Sequence, residues 1–268
     1  MPKIYDCITF YNENLLANAR FEILHDLVDY FIICESRYDH KGTQKKLNFK
    51  LLNNKFKKKI RYLIIDHNFP NPNDRWESEE YQREYLINGL IDAKDEDLIM
   101  YSDSDEIPNP KTLANLDLKK KYGIFLQNFF VYKLNIFNSF ESPWEGTRIT
   151  KRKFLKKFNY LRKKIRMKNL KKSFWKWGYN KSIQIINEGG WHFNNLYSLE
   201  TISEKIKTFP HEEFSDDIYT SIENIKTKIN NLEDLFGRGH NYKKISFDDT
   251  YPKFILQNLD KFKDFILE

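Results

Sequence analysis

Apolar positions along the first hundred residues come in short runs, and their spacing alternates between two periods. IYDCITF (4–10) has the aromatic and β-branched content of a strand. Asn14 is placed to cap a helix in which Leu15, Leu16, Ala19, Ile23, Leu24 and Leu27 recur at helical spacing. YFIICE (30–35) predicts a second strand, IRYLIID (60–66) a third and DLIMYS (97–102) a fourth. A basic stretch from Lys45 to Lys59 is expected to be partly helical. Residues 77–92 predict a helix that turns Tyr81, Tyr85, Leu86, Leu90 and Ile91 to the core. This alternation implies an α/β fold with a mostly parallel sheet, flanking helices and right-handed crossovers.

The second half reads differently. YGIFLQNFFVYKLNIF (122–137) predicts a long strand or a hairpin, and SIQIINEGGWHF (182–193) a further strand with a Gly-Gly break. Helical patterns follow at about 199–208 and 217–231. No internal repeat and no Gly/Ser linker marks a boundary, so 1–268 is read as a single domain with halves 1–118 and 119–268.

In a parallel sheet, ligands gather beyond the carboxyl ends of the strands. The first strand is followed by Tyr11, Asn12, Glu13 and Asn14. The second ends on Glu35, the third on Asp66 and His67, and the fourth on Ser102, Asp103, Ser104, Asp105 and Glu106. Strand ends are often polar, but here four in succession bring polar or acidic side chains to one edge. That repetition predicts a ligand cleft.

Charge changes this picture in one place. The formal net charge is +7, yet residues 151–176 (KRKFLKKFNYLRKKIRMKNLKKSFWK) hold thirteen Lys and Arg and no acid, leaving the rest of the chain at −6. Hydrophobic content of 40% with 16% aromatic is ample for a core and argues against disorder. No apolar run approaches the ~20 residues that span a bilayer, and the N-terminus shows no signal-peptide pattern. Cys7 and Cys34 lie in strand-like runs and read as buried thiols in a reducing compartment rather than a disulfide. Cysteine and histidine spacings for zinc are absent.

Asp103-Ser104-Asp105 carries the candidate chemistry. Hard divalent cations take oxygen ligands, commonly one or two carboxylates plus substrate phosphates. A diphosphate leaving group needs its charge neutralised in the transition state, and a DxD at a strand end suits that task. Pro108 and Pro110 end the loop, with a helix expected to start near Pro110.

Seven segments resemble glycosyltransferase family 17, in order over most of the chain: 4–36, WESEEYQREYLINGL (76–90), YSDSDEIP (101–108), WEGTRIT (144–150), GGWHF (189–193), EKIKTFPHEEF (204–214) and DLFGRG (234–239). The resemblance implies a GT-A type, Rossmann-like fold. It also implies a UDP-sugar donor with GlcNAc as the expected sugar, a divalent cation (Mn²⁺ or Mg²⁺) at the DxD, a glycan acceptor and inversion at the sugar C1. The half 1–118 would bind the nucleotide sugar and 119–268 the acceptor.

Carried onto these residues, Asp105 would hold the metal and Asp103 the metal or the ribose. Glu13, Glu35 and Asp66 would face the uridine, with Arg83 reaching the nucleotide. His192 would be a third metal ligand or a diphosphate donor, beside a glycine pair that permits close substrate approach. Trp144 and Trp191 would stack on sugar or base, core packing being the plain alternative. Arg238 and His240 would grip the diphosphate. The base that takes the acceptor proton would be Glu212, with Glu213, Asp216 and Glu145 as alternatives.

Within 151–176, Phe154, Phe158, Leu161 and Ile165 recur at helical spacing. This predicts an amphipathic basic helix that meets an anionic membrane surface or glycan, or one that packs its apolar stripe on the domain. A nucleic-acid-binding protein built on this segment, or a nucleotidyltransferase, are the competing readings. The nucleic-acid reading leaves the seven segments unexplained. The expected location is cytoplasmic, peripheral to a membrane if the basic helix binds one.

Overall fold

The structure is a computed structural model that describes residues 2–173, 180–208, 217–240 and 242–268. In chain order the elements are β1 (Ile4–Phe10), α1 (Asn14–Leu24), β2 (Tyr30–Ser36), β3 (Ile60–Ile65), α2 (Arg75–Tyr85), β4 (Leu98–Ser102), β5 (Glu106–Pro108) and α3 (Pro110–Ala114). They continue with β6 (Tyr122–Val131), β7 (Ile136–Phe137), β8 (Trp144–Lys151), β9 (Ile183–Ile186), β10 (Gly190–Asn194), α4 (Leu199–Thr208), α5 (Asp217–Thr220), α6 (Ile222–Asn230), β11 (Lys243–Lys244) and α7 (Lys253–Leu256). The fold is mixed α/β.

Two compact units divide the chain: residues 1–127 with 145–190, and 128–144 with 191–268. The expected halves met between residues 118 and 119; the compact units divide elsewhere, and 145–190 belongs with the first.

In the first unit β4, β1, β2 and β3 lie side by side and parallel, and β8 closes on β4 antiparallel. Side chains alternate across a strand, so each strand feeds two cores. Tyr5, Cys7, Ile32, Cys34, Ile99 and Tyr101 enter one; Ile8, Phe10, Phe31, Ile33 and Met100 enter the other. On the second face α1 contributes Ala17, Phe21 and Leu24. The first face is covered by Leu86 and Leu90, which follow α2, and by Leu155, Phe158, Leu161 and Ile165.

Of the apolar stripe of the basic segment, Phe158, Leu161 and Ile165 are therefore spent inside the domain, and Phe154 is half-buried. The segment is also not one helix. It breaks into a 3₁₀ turn at Arg152–Phe154, a π-type turn at Tyr160–Lys164 and a second 3₁₀ turn at Met167–Lys171. Its charges meet carboxylates of the acidic body: Lys151 reaches Glu96 at 2.8 Å, Arg166 reaches Glu145 at 3.2 Å, and Lys163 pairs with Glu80.

Other local expectations shift for physical reasons. Asn14 is the first residue of α1 rather than its cap; its side chain instead holds the passing strand-like segment through Asn48 O at 2.7 Å and Lys50 N at 2.7 Å. Ile91 is 88% exposed because the helix tightens into a 3₁₀ turn at Leu86–Leu90, which rotates the next residue outward. Asn109 caps α3 with Pro110 just inside it, as the proline spacing predicts. Cys7 and Cys34 are buried free thiols.

The second unit is built on the end of β6. Asn128–Val131 pairs parallel with β10, Phe130 pairs antiparallel with Phe137 of β7, and β7 pairs antiparallel with β11. The long run 122–137 is thus a hairpin. Ile202 and Ile206 of α4 and Ile225 and Ile229 of α6 pack on Phe129, Val131 and Ile136. Among the described residues no helix is long and apolar enough to cross a membrane.

Candidate active site

Strand order marks where a ligand is expected. From β1 the chain moves one way to β2 and β3, then returns to place β4 on the other side of β1. The reversal falls between β1 and β4, and in open parallel sheets ligands bind at the carboxyl end of such a reversal. The loops there are Tyr11–Glu13 after β1 and Asp103–Asp105 after β4. The acidic motif therefore stands at the one place in this sheet that topology favours for a ligand.

Buried polar side chains hold that place together. Arg20, fully buried on α1, forks onto Asp6 of β1 through Nε and Nη2, each at 2.6 Å. Nη2 also donates to Ser102 Oγ at 2.8 Å, and Nη1 donates to the backbone carbonyl of Glu106. Ser102 Oγ lies 2.7 Å from Thr147 Oγ1 on β8. One arginine thus joins the first strand to the acidic turn. Neither Asp6 nor Arg20 was among the expected site residues. The available signal was an acid inside an apolar strand and an arginine on the apolar side of a helix, two groups that need each other when buried.

Asp103 accepts a hydrogen bond from Tyr101 Oη on Oδ1 at 3.0 Å, and Arg162 pairs with Oδ2. Arg162 also spans Glu106, with Nη2 at 2.9 Å from Oε1 and Nη1 at 3.3 Å from Oε2. Glu106 is fully buried and accepts from Asp103 N at 3.2 Å, so it both closes the turn and seats a cation. Burial opposes charge on Arg162, but Asp103 and Glu106 outweigh it and raise its pKa. Behind them Arg83 donates from Nε to Tyr101 Oη at 2.9 Å and pairs with Glu79. Arg83 thus reaches Asp103 through a tyrosine. Arg148 is pulled down in pKa by burial first and then by the Arg162 charge.

The remaining expected residues of this unit are placed as follows. Glu13 turns back on its own loop, accepting from Tyr11 N at 3.0 Å and Asn12 N at 3.1 Å. Glu35 is fully buried and receives Lys45 Nζ at 2.7 Å, Asn48 N at 2.7 Å, Phe49 N at 3.0 Å and Tyr62 Oη at 2.6 Å. Those donors account for it as the anchor of the 45–49 segment. Asp66 is exposed beside His67. Glu145 is half-buried, its Oε2 accepting from Met167 N, Arg166 Nε and Arg148 Nη2 at 3.1, 3.2 and 3.3 Å. Asp105 is half-buried on the acidic turn. The glycine pair makes a close approach to the chain itself. A Cβ on Gly189 would lie 2.6 Å from Leu126 N, and one on Gly190, whose φ is +119°, would overlap the Ile107 carbonyl.

In the second unit His192 lies between Phe129 and Trp144, at ring-centroid distances of 4.4 and 5.1 Å. Trp144 is half-buried; Trp191 is buried and donates from Nε1 to Thr250 O at 3.1 Å, a packing role. Arg238 grips Asp234 at 2.9 and 2.8 Å, and His240 stacks on Phe140 at 4.5 Å. A cavity of about 410 Å³ in this unit is lined in part by Tyr132, Asn138, Glu141, Asn195, Phe236 and Arg238. Glu212, Glu213 and Asp216 lie outside the described residues.

The sequence model of glycosyltransferase family 17 matches residues 1–266. Over 117 residues the chain is 32% identical to the beta-1,4-mannosyl-glycoprotein 4-beta-N-acetylglucosaminyltransferases of Rattus norvegicus and Homo sapiens, and 31% identical to that of Mus musculus. The match takes in 40% of this chain and 22% of each relative, so the chain spans under a quarter of the length of the curated relatives it matches. A crystal structure of a glycosyltransferase involved in the glycosylation of the major capsid of PBCV-1 aligns over 56% of this chain and 60% of that one, at 15% identity and a TM-score of 0.26, which adds nothing to the fold.

Proposed function

The chain belongs to glycosyltransferase family 17, and from that premise we propose that it is an inverting enzyme transferring a sugar from a UDP-sugar to a glycan acceptor. GlcNAc is the first donor sugar to test, because the relatives matched over 117 residues are N-acetylglucosaminyltransferases by name. The observation that carries the reading is the position of Asp103-Ser104-Asp105 at the carboxyl end of β4, beside the strand-order reversal between β4 and β1.

The donor set suits a divalent cation. Asp103 and Asp105 are carboxylates on one turn, and both are partly open to solvent, the oxygen-rich, incomplete shell that leaves room for phosphate oxygens. They would hold the ion, which supplies charge neutralisation to a leaving diphosphate. This chain's own residues do the rest. Tyr101 and Arg83 orient Asp103 from behind. Arg20 fixes the turn to β1. A carboxylate must take the proton of the acceptor hydroxyl as it attacks C1; Glu212 is the first candidate, with Glu213, Asp216 and Glu145 as alternatives.

The test is a panel of UDP-sugars with Mn²⁺, reading UDP release and then the product by mass spectrometry and NMR. Transfer from UDP-GlcNAc with inverted anomeric configuration is expected. UDP binding with no transfer to any glycan would overturn the reading. Replacing Glu145, Glu212 and Glu213 singly by Gln then identifies the base, as the variant that keeps donor affinity and loses turnover.

A further inference from the structure

Arg162 belongs to the basic segment, yet its guanidinium sits on the acidic turn. Three features fix it there. Phe158, Leu161 and Ile165, on either side of it in sequence, are buried in the sheet's first-face core. Glu84 accepts from Phe158 N at 3.1 Å and Asn159 N at 2.7 Å, holding the start of the turn as an anion at a helical N-terminus does. The turn itself is π-type, a form that recurs at functional sites because its extra residue redirects a side chain.

The two carboxylates on Arg162 are not equivalent. Glu106 has no exposed side-chain surface and takes both Nη atoms; Asp103 has 38% of its side chain exposed and takes one. Glu106 is thus a fixed seat, and Asp103 is the partner on the solvent side. Arg162 keeps 15% of its side chain open. A planar guanidinium held along one edge still presents donors to an incoming oxyanion, and forked donation to phosphate is what this group does best.

Resting on the donor reading above, we infer that Arg162 is a second positive partner of the donor's diphosphate: seated on Glu106, it exchanges its contact with Asp103 for a phosphate oxygen when the nucleoside diphosphate binds. The exchange also frees Asp103 Oδ2 toward a cation. The bland alternative is a structural counter-ion for the buried Glu106. The two differ in what they do to diphosphate against monophosphate.

The experiment is calorimetric titration of UDP and of UMP into the wild-type chain, Arg162→Met and Arg162→Lys, with Mn²⁺ present. Arg162→Met is expected to weaken UDP about tenfold or more, the scale of one charge-assisted contact, and UMP by less than about threefold. Arg162→Lys keeps the charge but not the fork and should fall between. Equal weakening of UDP and UMP, or unchanged UDP affinity in a folded variant, overturns the inference. If Arg162→Met does not fold, Arg162→Lys decides, because selective loss of UDP supports the role and its absence removes it. A wild-type chain that binds neither nucleotide would instead overturn the donor reading itself.

Discussion

Arg20 and Asp6 form a bidentate ion pair in the interior, both nitrogen–oxygen distances being 2.6 Å and both side chains almost without exposed surface. The pair spans α1 and β1, and Arg20 continues to Ser102 and the Glu106 carbonyl. Removing one partner leaves the other charge buried and uncompensated, which costs about 3–5 kcal/mol. Arg20→Met should therefore lower unfolding free energy by that order in urea titration. Where the variant is folded at low temperature, donor KM should rise, because the acidic turn loses its tie to β1. A variant with wild-type stability would mean that the pair is not the anchor described.

Asp105 offers a cleaner test of chemistry, since it is half-buried on the turn rather than sealed within it. Asp105→Asn keeps volume and removes charge. Sugar transfer is expected to fall about 10²–10³-fold, the range seen when one electrostatic contribution to a transition state is removed. Asp103→Asn should lose activity and some stability together, because Asp103 also pairs with Arg162. Full transfer by Asp105→Asn with Mn²⁺ present would show that the motif does not serve the reaction.

The first four strands were legible because they read as apolar runs of strand length, and their observed limits differ from the expected ones by at most one residue. The DxD was legible as a strand end, and the strand order sets that end beside the reversal between β1 and β4. Partners were not legible. Arg162 and Asp103 are 59 residues apart, and nothing in local spacing says that a basic segment will fold back onto an acidic turn. The helical spacing of Phe158, Leu161 and Ile165 identified a buried stripe without saying what it covers. Glu35 shows a related limit: an acid at a strand end looks alike whether it waits for a ligand or already holds four donors from its own chain.

Gly190 gives a prediction that separates packing from substrate contact. Its φ of +119° is strained for any side chain, and an added Cβ would meet the backbone of Ile107, Pro108 and Asn109, which cannot swing aside. Positive-φ strain alone costs about 1–3 kcal/mol, and the overlap adds to it. Gly190→Ala should lower stability by more than about 2 kcal/mol in chemical denaturation. A variant that keeps stability but loses donor or acceptor affinity would restore the substrate-approach reading of the glycine pair.

Asp234 makes the second unit sensitive to acid. Burial alone would raise its pKa. The hydrogen bonds from the Arg238 side chain and backbone and from Tyr242 outweigh burial and lower it from 3.8 to about 2. A carboxylate depressed on folding contributes stability that is fully present above its unfolded pKa and is lost as pH falls through the folded one. The window is therefore from about pH 4 down to about pH 2. The shift corresponds to about 2 kcal/mol, and solvent screening of the half-exposed Arg238 reduces it toward about 1 kcal/mol. Asp234→Asn should be less stable than wild type by that amount at pH 7. The gap should narrow as pH falls from 4 to 2, where the wild-type group takes up its proton. Urea titrations of both proteins across that range check the sign: a gap that stays constant or widens in acid would mean that Asp234 is not held ionised by Arg238 and Tyr242.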